Sequence, residues 1–184
     1  MTDKMRLMTN RLILEPLGIR HFSGTCRYSM DPDNTAMMCY LPCDDEEEVR
    51  NYLVKSEAQW NRIQPDYLDA AVLLNGTHIG AVSIEMVENR SAGELGWIID
   101  KRFWGSGYAA EAAAAFMDYF SRRFSVTRFI AHCDEENYAS RRVMEKLGMT
   151  LTDTYSGRKN RNSPAIRREC LFRLEVKRER RQGL

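Results

Sequence analysis

Two glycines one residue apart, Gly105 and Gly107, stand directly before an alanine-rich run in "RFWGSGYAAEAAAAF". Lacking a side chain, glycine lets the main chain approach a ligand closely and take positive φ. A helix that begins there offers amides with no intrahelical partner and roughly half a positive charge. Glycine turn and helix start together make an anion site from backbone alone, suited to a phosphate. The alanines would let the helix lie close on a sheet and so hold its N-terminus in place. The same stretch satisfies a rival spacing: Gly105, Gly107 and Ala110 fit G-x-G-x-x-G/A, with Asp134 ending the next strand as a ribose-binding acid would. Two features weigh against the rival. "DKRFW" intervenes between Ile99 and Gly105, and the strands before it read as hairpins rather than parallel βαβ units.

Other reactive residue types form weaker patterns. His132 precedes Cys133 on a strand-like run, but adjacent strand residues point to opposite faces, so they do not pair as base and nucleophile. Cys39, Cys43 and three scattered histidines lack paired ligand spacing, and no metal is expected. The five cysteines are odd in number and without CxxC, and the N-terminus has no basic-then-apolar pattern, which together point to a reducing, cytoplasmic setting. With 27 Lys and Arg against 26 Asp and Glu, the net charge of +1 excludes a strong overall field for DNA or an anionic membrane. No apolar run approaches the roughly 20 residues of a membrane span.

These residues need elements to position them. "RLILEPL" (11–17) alternates as a strand, "IRHFSGTCRYSM" reads as a helix, and "DPDNT" breaks it. The acidic run "DDEEEV" opens a helix reaching about Arg62, capped by Asp44 or Asp45, with its carboxylates opposing the helix dipole. "YLDAAVLL" (67–74), "HIGAVSIEMV" (78–87) and "AGELGWIID" (92–100) are strands separated by the turn sequences "NGT" and "ENRS", an antiparallel meander. A helix over 107–123, a strand over 128–134, a helix from "NYASRRVMEKLG" and two strands near 150–156 and 168–177 follow. This alternation requires at least one parallel crossover, so the sheet is mixed. "SGRKNRNSPAIR" reads as a long basic solvated loop, and the chain ends in the basic tail "KRERRQGL". One domain of 184 residues, with a core over about 7–177 and a tail over 178–184, accommodates all of it.

Three blocks in this order resemble the GNAT N-acetyltransferases. "RFWGSGYAAEA" is similar to the family's R/Q-x-x-G-x-G/A acetyl-CoA loop, with Arg102, Gly105 and Gly107 at the marked positions. "NYASRRVMEKLGM" is similar to its N-x-x-S-x-x-V-x-x-K-L-G-F segment, with Met149 in place of Phe. "LMTNRLILEPL" resembles the L-x-T-x-R-L-x-L-x-P-L start of the branch containing ribosomal-protein N-terminal acetyltransferases. His21 departs from that branch, which often has Asp there.

The resemblance implies a GNAT fold, a mixed and mostly antiparallel sheet flanked by helices, and acetyl-CoA as cosubstrate. It implies that the pyrophosphate rests on the backbone of Trp104, Gly105, Ser106, Gly107, Tyr108 and Ala109, with Arg102 adding charge. It also implies that the backbone of Ile98 and Ile99 pairs the pantetheine amides, helped by Asn137, which also caps its helix. One N–H would meet the thioester oxygen, where negative charge grows. For the proton steps, Glu94 acting through water is the expected base, with Glu85 in reserve; Ser140 is the expected acid, with Tyr138 the alternative. The expected reaction is direct acetyl transfer to a primary amine, first of all a protein N-terminus. A small amine (amino acid, polyamine or antibiotic) and a non-catalytic acyl-CoA-binding module are the competing readings. Specificity would lie in segments 18–65 and 156–167. The residues leave dimerisation open.

Overall fold

Eight strands form one sheet in the order β1-β2-β3-β4-β5-β6-β8-β7 in a computed structural model, which describes residues 5–176. The basic tail therefore lies outside the described residues. The strands are β1 (Leu7–Met8), β2 (Leu12–Pro16), β3 (Tyr67–Leu74), β4 (Thr77–Val87), β5 (Ala92–Ile99), β6 (Arg128–Asp134), β7 (Thr150–Lys159) and β8 (Ile166–Glu175). Every neighbouring pair is antiparallel except β5 with β6. The expected meander is β3-β4-β5, and its first turn works as "NG" predicts: Asn75 and Gly76 both take positive φ, 48° and 79°, as a primed hairpin turn requires.

The helices are α1 (Phe22–Ser29), α2 (Pro32–Thr35), α3 (Glu46–Gln59), α4 (Tyr108–Phe124) and α5 (Tyr138–Lys146). Period-2 alternation divides the sheet's side chains between two faces. On one face Leu14, Val72, Ile84, Leu95 and Phe129 pack with Phe116 and Phe120 of α4 and Met144 of α5. On the other, Ala71, Ala81 and Ile98 pack with Leu17 and with Val49 and Leu53 of α3. Ala112 and Ala113 are fully buried, so the alanines do bring α4 close against the strands.

Local signals explain most helix starts. Asp45 caps α3 by accepting from the Glu48 amide at 2.8 Å, and Glu48 returns a bond to the Asp44 amide at 2.7 Å, a reciprocal pair in the manner of a capping box. "DPDNT" does more than break α1. Asp31 accepts from the amides of Asp33 and Asn34, and Pro32 occupies the first turn, so the segment starts α2. The long basic loop is also shorter than expected: β7 runs to Lys159 and β8 begins at Ile166. Its arginines find acidic partners that a sequence cannot display, Arg158 with Glu169 and Arg167 with Asp134. Among the described residues no helix is long and apolar enough to cross a membrane.

Candidate active site

The sheet opens in its middle. β5 and β6 pair over only three positions, Ala92 with Arg128, Gly93 with Phe129 and Glu94 with Ile130, and β5 continues to Ile99 without a partner on that side. Backbone groups alternate in direction along a strand. The Asp100 amide donates to the Ile79 carbonyl of β4 at 2.8 Å, so Ile98 also turns its amide toward β4. Trp97 and Ile99 are the residues that turn theirs into the opening. Of the expected pair Ile98 and Ile99, only Ile99 thus faces the opening, beside Trp97, while the Ile98 side chain packs on the α3 face. The Ile99 carbonyl is already occupied by Asn34 Nδ2 at 3.3 Å and Trp104 Nε1 at 2.7 Å, which leaves its N–H. Because β5 and β6 are parallel, both run out at the same end, one into the glycine loop and α4, the other into Asn137 and α5.

At the glycine loop, Gly105 and Gly107 have φ of +78° and +81°, a conformation that L side chains rarely adopt. Gly107 is the N-cap of α4 and supplies no side-chain bond, so the helix's first amides keep their free N–H groups. A Cβ on Gly105 would meet nothing within 4 Å, so that face of the loop is open. Trp104 is 55 % exposed, its indole tied to the end of β5. Arg102 reaches not toward the helix start but back to Asp100, at 3.0 Å and 2.5 Å, which holds the Asp100 carboxyl below its ordinary range.

A residue the sequence reading passed over braces this loop. Arg11 donates from one guanidinium nitrogen to the Ser106 carbonyl at 3.0 Å and pairs with Glu111 at 2.6–2.7 Å, its guanidinium 4.5 Å from the centre of the Tyr108 ring. Thr9 Oγ1 adds a bond to Glu111 at 2.5 Å. Burial pushes the Glu111 carboxyl up, but the bonds from Thr9 and Arg11 outweigh it and leave the group below its usual value. A bare carboxylate in the first turn of α4 would repel an anion; here its charge is neutralised. The Thr-x-Arg of the opening block thus clamps a helix about a hundred residues away in sequence.

On the α3 face of the opening, Glu94 accepts from His132 Nδ1 at 2.9 Å. This hydrogen bond lifts the imidazole above its ordinary pKa, against burial, which pulls it down. Tyr155 stands edge-on to the imidazole, ring centres 6.4 Å apart. Glu85 lies directly across from Glu94 in the β4–β5 register and is exposed. Asn137 caps α5 as expected, accepting from the Ser140 amide at 3.0 Å. Ser140 is half-buried on the first turn, whereas Tyr138 is 64 % exposed, with Arg141 5.8 Å from its ring centre. His132, set aside on sequence grounds as a base for Cys133, has Glu94 as its partner instead. The alternation that separated it from Cys133 also places it on one face with Ile130, whose β5 partner is Glu94. The Cys133 thiol, pushed up to about 12 by burial, is no nucleophile.

Arginines close the acceptor side. Arg158, 8 % exposed, pairs with Glu169 and donates to the Met37 carbonyl at 2.9 Å. Arg161 donates to the Tyr40 carbonyl at 3.0 Å and pairs with Asp44 at 2.7 Å and Glu48 at 2.8 Å. Two carboxylates at the start of α3, Asp44 and Glu48, are thus bound by the β7–β8 hairpin. Asp134 is fully buried, bonded by Arg167, by Asn160 at 2.7 Å and by the Glu136 amide at 2.9 Å. Fully buried and already accepting from three donors, it is not open to a ribose, which removes the dinucleotide reading.

A profile of the acetyltransferase (GNAT) domain matches residues 11–150. The chain belongs to the GNAT family. A relative, the uncharacterized N-acetyltransferase YnaD of Bacillus subtilis (strain 168), is 28% identical over 147 residues, covering 79% of this chain and 82% of its own. The FsC-acetyl coenzyme A-N(2)-transacetylase of Aspergillus fumigatus is 27% identical over 184 residues, covering 94% of this chain and 76% of its own. Among solved structures, the ribosomal L7/L12 α-N-protein acetyltransferase in complex with coenzyme A superposes with a TM-score of 0.84 at 17% identity, covering 94% of this chain and 98% of that one. The mixed sheet with its opened parallel pair is therefore a GNAT fold, and the chain is an N-acetyltransferase by family.

Proposed function

We propose that the protein transfers an acetyl group from acetyl-CoA to a primary amine by direct attack, and that the amine is a protein N-terminus. The observation that carries this reading is the opening between β5 and β6, with the N–H groups of Trp97 and Ile99 turned into it along one wall and two helix starts at its end. The site fits the cosubstrate: the uncapped amides of Tyr108 and Ala109, with Gly105 and Gly107 admitting close approach, would hold the pyrophosphate. Ser106 and Trp104 would flank it, while Arg102, held by Asp100, would add little charge there. Trp97, Ile99 and the free amide nitrogen of Asn137 would hold the pantetheine arm. Bound acetyl-CoA supplies the acetyl group as an activated thioester.

The chain's own groups manage charge and protons. An N–H from the β5 edge stabilises negative charge on the thioester oxygen. Glu85 opposite Glu94 places like charges directly across a strand pair, an arrangement that costs stability. Such a floor favours an ammonium, and the Glu94–His132 pair is placed to remove its proton. The Ser140 hydroxyl, at the start of α5, serves the departing sulfur, with Tyr138 less suited because it is turned to solvent.

The ribosomal-protein-like opening block and the ribosomal L7/L12 enzyme's fold support a peptide acceptor. The Aspergillus relative, named as an FsC-acetyl coenzyme A-N(2)-transacetylase and not as a protein acetyltransferase, favours the second reading, a small amine. Thiol release measured with N-terminal peptides and with amino acids and polyamines separates the two. Release dependent on peptides is expected. Release with small amines alone would overturn the peptide reading. Coenzyme binding with no amine-dependent release would leave only an acyl-CoA-binding module.

A further inference from the structure

We infer that the base is His132 through its Nε2 atom, and that Glu94 is a positioning residue that holds the imidazole rather than the group that takes the proton. The inference rests on the acetyl-transfer reading and changes which atom does its first step. An ionised carboxylate can only accept hydrogen bonds. Glu94 Oε1, at 2.9 Å from Nδ1, therefore fixes the neutral imidazole in the tautomer with its hydrogen on Nδ1. The lone pair is then on Nε2, on the far edge of the ring. The same logic makes a buried carboxylate orient a catalytic histidine in hydrolases.

The placement supports this. His132 lies two residues past Ile130, the last β6 residue paired to β5, so it stands where the strands part and the acetyl group would enter. Its side chain is 22% exposed, enough to meet an amine but largely shielded from water. Glu94 is tied up at one oxygen by this bond. The other two histidines stand elsewhere: His21 is bonded to Glu15 and the Gly18 amide, and His78 to the Gly80 carbonyl. The charged and titratable groups facing His132 are Glu94 on β5, Glu169 on β8, and Arg158 and Tyr155 on β7. Arg158 and Glu169 neutralise each other, so Glu94 sets the local charge.

The proton balance is simple. The ammonium gives one proton to Nε2, which passes it to water. The amine nitrogen then bonds the acetyl carbon, the carbon–sulfur bond breaks, and the nitrogen's second proton goes to the sulfur as thiol forms.

Two variants read out in opposite ways. His132→Gln should lower kcat by about 100-fold or more, the scale of general-base catalysis, and erase the acid limb of the pH profile. Glu94→Gln keeps an acceptor for Nδ1 but removes the charge, so the limb should persist and move to lower pH with a smaller loss of rate. If Glu94 itself is the base, the pattern reverses: Glu94→Gln erases the limb and His132→Gln keeps it, which would overturn the assignment. An independent readout needs no turnover. Imidazole NMR titration should show His132 titrating at a higher pH than His21 and His78, and dropping in Glu94→Gln. An unmoved His132 titration in that variant would contradict the inference. Wild-type enzyme that releases no thiol with any amine would instead defeat the acetyl-transfer reading, leaving the titration result to stand by itself.

Discussion

On one side of the β5–β6 opening, the groups that in the proposed reaction would meet the coenzyme are main-chain amides of Trp97, Ile99 and the first turn of α4. On the other, the groups that would meet the acceptor are side chains, Glu94 and His132, beside a hairpin held by Arg158 and Arg161. A backbone site depends on φ at two glycines and on where a strand pair ends. It tolerates change at most side chains and binds the ligand shared by a family. A side-chain site depends on ion pairs between distant segments. It can be rebuilt residue by residue, which suits the half that must choose an acceptor.

The sharpest break of the coenzyme half is Gly107→Glu. The backbone there has φ of +81°, and the new carboxylate would sit at the helix start against the pyrophosphate. Coenzyme A affinity by calorimetry should fall about 100-fold or more, the worth of one or two charge-assisted hydrogen bonds. Unchanged affinity in a folded variant would remove the anion site.

Arg11→Ala attacks the same half indirectly, by freeing Glu111 and the Ser106 carbonyl. The KM for acetyl-CoA should rise about tenfold, with kcat and the acceptor KM little changed, as one lost charged hydrogen bond implies. An equal rise in the acceptor KM would blur the division between the halves. Adding Glu111→Gln should restore part of the loss, since the uncompensated charge is what harms binding.

Arg161→Ala tests the acceptor half and is expected to have the smallest effect. Its partners Asp44 and Glu48 are partly exposed, so the acceptor KM should change about two- to fivefold, and coenzyme affinity not at all. High salt should mimic the variant, because exposed pairs are screened. A variant that lost coenzyme binding instead would show that the hairpin supports the whole site.

The same division runs through what the sequence displayed. The meander, α4 with its glycine start and the Asn137 cap were legible, because turn residues, periodicity and capping act between near neighbours. β3 and β6 have the residue bounds that alternation predicts. The contacts that were not legible join residues far apart: Arg11 with Glu111, Arg161 with Asp44, Glu94 with His132. Alternation says which face a residue takes, but not which strand lies beside it. His132 could be separated from Cys133 on sequence grounds, yet its pairing with Glu94 needs the parallel β5–β6 register. Arg102 shows the converse. Its motif position suggests a phosphate contact, and Asp100, two residues before it, holds its guanidinium.

Amide hydrogen exchange with and without coenzyme A tests the central claim most directly, because the groups it reads are the backbone N–H groups that form the coenzyme half. Slowed exchange at Trp97, Ile99 and Tyr108 through Ala110, with the β7–β8 hairpin unaffected, is the predicted result. Coenzyme binding that leaves those amides exchanging as before would contradict a site built from the opened strand and the start of α4.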